Sequence, residues 1–104
     1  MQPNKEEILQ TLRSINRQLA SNGIRIVGLF GSFAKESANT YSDIDIAVKK
    51  SADFFKHHGA YDYFDRPDTL KRHLIRAFNR PVDLFDLDSQ SPLKERIEKE
   101  LIHV

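Results

Sequence analysis

Ile8, Leu12, Ile15 and Leu19, with Leu9 beside them, recur at helical spacing among charged and polar neighbours, so residues 5–21 are predicted to form an amphipathic helix. Asn4 and Glu7 have the spacing of a capping box ahead of it, and Asn22-Gly23 supplies the stop. The period then changes. IRIVGLF, residues 24–30, is short, rich in β-branched side chains and bounded by glycines, the pattern of a strand buried largely on both faces. Gly31-Ser32 breaks it, and a short helical turn is expected through Lys35. SDIDIAV, residues 42–48, reads as a second strand with Ile44, Ile46 and Val48 on one face and Asp43, Asp45 and Ala47 on the other.

Residues 49–66 mix aromatic and charged side chains without a clean period. From Pro67, which suits the first helical position, Leu70, Leu74, Ala77 and Phe78 return to helical spacing, and Asn79-Arg80-Pro81 ends that helix. VDLFDL, residues 82–87, is a third strand. Ser91-Pro92 opens a final helix carrying Leu93, Ile97 and Leu101. This order predicts a small α/β domain, with helices packed on a three-stranded sheet.

Composition narrows the picture. With 104 residues, 39% of them hydrophobic, the chain supports one core, and a single domain over residues 1–104 is expected. Charged residues make up 30%, but the net charge is only +1, so there is no broad basic field and direct nucleic-acid binding is not expected. Any site for a polyanion must be local. The absence of cysteine excludes disulfides, thiolate nucleophiles and Cys-based zinc sites. Residues 1–10 have no apolar leader core, and no segment approaches the ~18 uninterrupted apolar residues of a membrane span. A soluble, cytoplasmic protein without a membrane partner is therefore expected.

The chemistry lies in the second strand. Side chains at i and i+2 project side by side with Cα atoms roughly 6 to 7 Å apart, so Asp43 and Asp45 would repel in a dry core unless a cation or water compensated. Mg²⁺ meets that need with one or two carboxylates, leaving phosphates to complete its shell. The Gly31-Ser32 turn supplies the other half, because backbone N–H groups and a hydroxyl at a helix start can face phosphate oxygens. In-line displacement at phosphorus is well served by two metal ions roughly 3.5 to 4 Å apart, which two carboxylates hold poorly without a third. Asp83, Asp86 and Asp88 are the available candidates. Asp83 is embedded in apolar neighbours as Asp43 and Asp45 are, whereas Asp86 has the opposite parity and Asp88 sits at the strand's exit, a place for a solvated cap.

Gly31-Ser32, ten intervening residues, Asp43-Ile-Asp45 and a later aspartate in RPVDLFDL together resemble the minimal nucleotidyltransferases of the polymerase-β-type superfamily. The resemblance covers nearly the whole chain, through the closing SPLKERIEKELIHV. It implies a polymerase-β-like fold with a small mixed sheet, ATP as substrate and two Mg²⁺ ions. By position it implies that Gly31 and Ser32 hold the triphosphate and that Asp43, Asp45 and Asp83 are catalytic metal ligands, Asp83 also helping to deprotonate the acceptor hydroxyl. Lys35 stands where many relatives carry arginine and would reach a phosphate as a point charge. Glu36 replaces a frequent glycine, so a different turn is expected there.

In larger relatives extra domains build much of the acceptor pocket, so the acceptor is expected to come from another molecule. Members of this size resemble antitoxins paired with HEPN-domain ribonuclease toxins, which implies transfer of AMP to a tyrosine of the toxin. Two other readings stand beside it: a binding module that neutralises its partner by occlusion alone, and a small-molecule nucleotidyltransferase completed by a separate helical subunit. Phe54, Phe55, Tyr61, Tyr63 and Phe64 are expected to cover the core or a partner. His57-His58 is expected in a solvated loop, and Lys71, Arg72, Arg76 and Arg80 on a solvated basic face.

Overall fold

The computed structural model describes residues 3–19, 24–50 and 67–104. Helix α1 (Lys5–Leu19) begins as its sequence requires: the Glu7 amide donates to Asn4 Oδ1 at 2.8 Å, and Asn4 Nδ2 donates back to Glu7 Oε1 at 3.0 Å. Its apolar stripe, Ile8, Leu9, Leu12 and Ile15, is buried.

Strand β1 (Ile24–Phe30) follows, then the single turn of α2 (Gly31–Ala34), strand β2 (Ile44–Lys50), helix α3 (Pro67–Phe78), strand β3 (Val82–Asp86), helix α4 (Lys94–Glu100) and strand β4 (Ile102–His103). The sheet order is β3-β2-β1-β4, with β1 antiparallel to β2 and β4, and β2 parallel to β3. The parallel pair is made possible by the α3 crossover. The stop at Asn22-Gly23, the paired histidines and the aromatic stretch 54–64 lie outside the described residues.

Three expectations need correction. The sheet has four strands, because Leu101 is extended and leaves the final helix, so that residues 102–103 pair with β1. Exposed Leu93 flanks that helix, and only Ile97 within it is fully buried. The second strand starts at Ile44 and runs to Lys50, leaving Asp43 just ahead of the ladder.

A β-bulge between Ile26 and Gly28 divides the two faces. Up to the bulge Ile24 and Ile26 point toward α1 and α3, and after it Leu29 does, all joining Ile44, Ile46, Val48 and Val82 in the main core. Val27 and Phe30 are thereby sent to the opposite face, where they pack with Ala47, Phe85, Leu87, Ile97 and Leu101 under α4. Asn16 of α1 completes the ladder, accepting from the Ile26 amide at 2.9 Å and donating to its carbonyl at 2.8 Å.

At Gly28 the sheet has no room for a side chain, since a Cβ there would collide with the Ile102 carbonyl of β4. Gly28→Ala is therefore expected to push β4 off the edge at a cost of about 1–3 kcal/mol. The check is hydrogen exchange at the Val104 amide, which now donates to the Val27 carbonyl at 3.0 Å and should lose protection.

Candidate active site

Three strand ends meet on the α4 face. Asp45 is the ladder partner of Phe30 on one side and of Asp83 on the other, so the two carboxylates stand at the same level of adjacent parallel strands. Asp43 precedes the strand by one residue, on the same parity as Asp45, and is exposed. The structure thus brings the three predicted aspartates to one edge of one face. Asp45 is half-buried there, beside Phe30, whose ring meets Phe85 edge to face with 6.4 Å between centroids. Desolvation, reinforced by the charges of Asp83 and then Asp43, raises the Asp45 carboxyl from its ordinary 3.8 to about 6.

Gly31 turns the chain directly against that carboxylate. Its φ of +78° favours glycine, and a Cβ at this position would collide with Asp45 Oδ2. Phe30 offers no side-chain cap hydrogen bond to the first amides of α2. Half-buried Ser32 is the second residue of the turn, and its carbonyl accepts from the Ser37 amide at 2.8 Å. The glycine turn and the carboxylate cluster are therefore in contact through Gly31 and Asp45.

Lys35 is committed elsewhere. Its ammonium lies 2.9 Å from Glu100 Oε1 on α4, and Arg96 Nε stands 3.8 Å from the same oxygen. The hydrogen bond from Lys35 holds the Glu100 carboxyl below the ordinary carboxylate range. These groups line an open cleft of about 250 Å³ with Phe30, Gly31 and Leu93, so Lys35 borders the same space as the turn. Glu36 keeps the left-handed turn that a glycine would make, with φ of +58°, and pairs with Lys5 at 3.3 Å. The substitution leaves the turn in place, with the strain of a side chain in that region.

Asp86 and Asp88 have local work. The Asp88 amide donates to Asp86 Oδ1 at 2.8 Å, and Asp88 Oδ2 accepts from the Lys50 amide at 2.9 Å. Asp83 is left on the site face, its Oδ1 3.9 Å from the Lys71 ammonium.

Arg80 overturns the expectation of a solvated basic face. It is half-buried, its Nη1 donates to the carbonyls of Asn39, Thr40 and Ser42 at 3.2, 3.2 and 2.8 Å, and its guanidinium carbon lies 5.2 Å from the centre of the Phe33 ring. Only the arginine immediately before Pro81 and the third strand, off the helical stripe, could have signalled this.

The donor set is all-oxygen and open. Among the described residues no three His, Cys, Asp or Glu groups close into a ready metal cage. An Asp45 carboxyl raised by burial and by the charges of Asp83 and Asp43 instead fits a hard divalent ion such as Mg²⁺, which takes one or two carboxylates and fills its remaining positions with water and phosphate. No helix among the described residues is long and apolar enough to cross a membrane.

Residues 13–104 match the family model described as polymerase beta, nucleotidyltransferase. The fold is similar to that of a minimal nucleotidyltransferase, with a TM-score of 0.70 at 22% identity, covering 98% of this chain and 97% of that one. It is also similar to a chain in a crystal structure of a toxin–antitoxin with AMP-PNP, with a TM-score of 0.51 at 30% identity over 77% of this chain and 60% of that one. No curated protein matches the sequence.

Two stability measurements follow from this geometry. Glu36→Gly relieves the left-handed strain and loses only an exposed ion pair, so denaturant unfolding should show a gain of about 0.5–1 kcal/mol. For Asp45, a folded-state pKa above the unfolded value means that the folded protein holds the proton more tightly, so the penalty is absent below about pH 4 and fully present above about pH 6. Asp45→Asn should therefore stabilise the metal-free protein at pH 7 by on the order of 1 kcal/mol, the full shift being discounted for solvent around a half-exposed group. Thermal unfolding without divalent cations should show this advantage vanish as the pH falls toward 4.

Proposed function

The chain belongs to the polymerase-β nucleotidyltransferase family, and on that footing we propose that it transfers AMP from Mg²⁺-ATP to a tyrosine hydroxyl of a HEPN-type ribonuclease toxin, acting as its antitoxin. The observation that carries the reading is the contact of Gly31 with Asp45 and the level pairing of Asp45 with Asp83, which set a phosphate-accepting turn and a carboxylate pair side by side. The structural similarity to a toxin–antitoxin solved with AMP-PNP supports both the nucleotide and the kind of partner.

In this reading Gly31, Ser32 and the first amides of α2 bind the triphosphate, with Lys35 at the edge of the same cleft. Asp43, Asp45 and Asp83 would hold two Mg²⁺ ions, which when bound lower the charge repulsion at the phosphates and make the acceptor hydroxyl easier to deprotonate. The tyrosine oxygen forms a bond to the α-phosphorus, the bond from that phosphorus to the bridging oxygen of the β-phosphate breaks, and pyrophosphate leaves. Asp83, its side chain 64% exposed, is open to an approaching acceptor and helps to take up the hydroxyl proton. Half-buried Asp45 is held by the fold on both sides and orients the nucleotide end.

The test mixes the protein with ATP labelled at the α-phosphate, Mg²⁺ and a HEPN-type toxin, and follows both label and ribonuclease activity. Label on a toxin tyrosine with loss of ribonuclease activity is expected, and Asp43→Asn with Asp45→Asn should abolish both, by at least about 10³-fold in rate. Full neutralisation by that double variant would establish occlusion in place of transfer. Label on a small hydroxyl compound and none on protein would establish a different acceptor.

A further inference from the structure

The segment between α2 and β2 carries Asp43 at its far end, yet Asp43 lies outside the β ladder, which begins at Ile44. Two sets of hydrogen bonds meet at residues 39–42 of it. One is internal: Asn39 Oδ1 accepts from the Tyr41 amide at 2.8 Å, Ser42 Oγ accepts from the Asn39 amide at 2.8 Å, and the Ser42 amide donates to the Asn39 carbonyl at 3.1 Å. That set folds the turn but ties it to nothing else. The other is Arg80, whose two Nη1 hydrogens are shared among the carbonyls of Asn39, Thr40 and Ser42.

Arg80 is itself fixed from several directions. Asn79, with φ of +51°, closes α3 in the left-handed turn that asparagine tolerates, and Pro81 restrains the chain beyond. The Pro81 carbonyl accepts from the Ile44 amide at 3.0 Å, which joins the start of β3 to the start of β2. Buried Phe33 of α2 lies under the guanidinium. One side chain therefore links the turn that bears Ser32, the loop that ends at Asp43 and the strand that bears Asp83.

We infer that Arg80 is the positioning residue for Asp43, holding its backbone through the Ser42 carbonyl so that its carboxylate meets a metal ion together with Asp45 and Asp83. The assignment rests on the metal-dependent reading proposed above. A planar guanidinium suits this role because it can spread its hydrogens over several carbonyl oxygens while stacking on a ring, which an ammonium does less well. Partners that orient metal ligands are commonly worth 10- to 100-fold in metal affinity.

The experiment measures Mn²⁺ binding by electron paramagnetic resonance, and the Mg²⁺ concentration for half-maximal transfer, in wild type, Arg80→Met, Arg80→Lys, Asp43→Asn and the double variant Asp43→Asn with Arg80→Met. Thermal unfolding of each is recorded alongside. Arg80→Met should weaken Mn²⁺ binding and raise the Mg²⁺ requirement about tenfold or more, with Arg80→Lys between it and wild type. The double variant should bind Mn²⁺ no more weakly than Asp43→Asn alone, because the arginine acts through that carboxylate. If Arg80→Met does not fold, Arg80→Lys makes the same comparison. A fall in melting temperature with Mn²⁺ affinity unchanged, or losses that multiply in the double variant, would overturn the assignment while leaving the proposed activity standing. A wild-type protein that neither binds Mn²⁺ nor transfers the nucleotide would overturn the metal-dependent reading and this assignment with it.

Discussion

A carboxylate packed against a glycine Cα sets the geometry of this protein's site. Asp45 fills the space that any side chain at position 31 would need, so the turn leaving β1 lies directly against the start of β2. Because Asp45 is also level with Asp83 through the parallel β2–β3 pairing, a single side chain relates the Gly31 turn to the third aspartate. The contact is made of groups that resist it. A half-buried carboxylate beside two others is raised toward neutrality, which disfavours the ionised form that binding a metal ion would need. Such opposition between stability and ionisation is usual where a site is arranged before its ligand arrives.

The rest of the fold keeps that arrangement in place. The bulge in β1 lets one strand contribute Ile24, Ile26 and Leu29 to the main core and still deliver Val27 and Phe30 to the site face. Without the extra residue, Leu29 and Phe30 would exchange faces and the turn would leave the sheet on the wrong side. Helix α4 then covers only part of the site face. Its buried Ile97 packs against the sheet, while Arg96 and Glu100 stand with Lys35 around an open cleft. The two cations of this cleft share the one carboxylate of Glu100, so the positive field near the turn is partly offset within the protein itself.

Much of this was legible along the chain. The helical stripe of Ile8, Leu12 and Ile15, the alternation from Ile44 through Val48 and the Gly31-Ser32 break depend on local periods and on residues with strong backbone preferences, and each appears where it was expected, although the strand begins one residue after Asp43. The capping of α1 by Asn4 and Glu7 belongs to the same class, since its partners are three residues apart. The reading failed where a residue's partner lies far away in sequence. Leu101 looks like the next step of a helical stripe, but residues 102–103 gain ladder bonds to β1 only because Gly28 leaves room for them. Arg80 looks like one more cation after a basic helix, yet its carbonyl acceptors lie about forty positions upstream.

The sequence by itself determined which residues could do chemistry, since short-range spacing places carboxylates on one face of a strand and a glycine at its neighbour's end. The tertiary structure alone decided how they meet: that Asp83 pairs with Asp45, that Gly31 abuts Asp45, that Lys35 is held by Glu100, and that Arg80 ties the loop of Asp43. These are contacts between segments whose separation along the chain carries no periodic signal. They are set by sheet register, by a bulge and by the space left where elements close on one another.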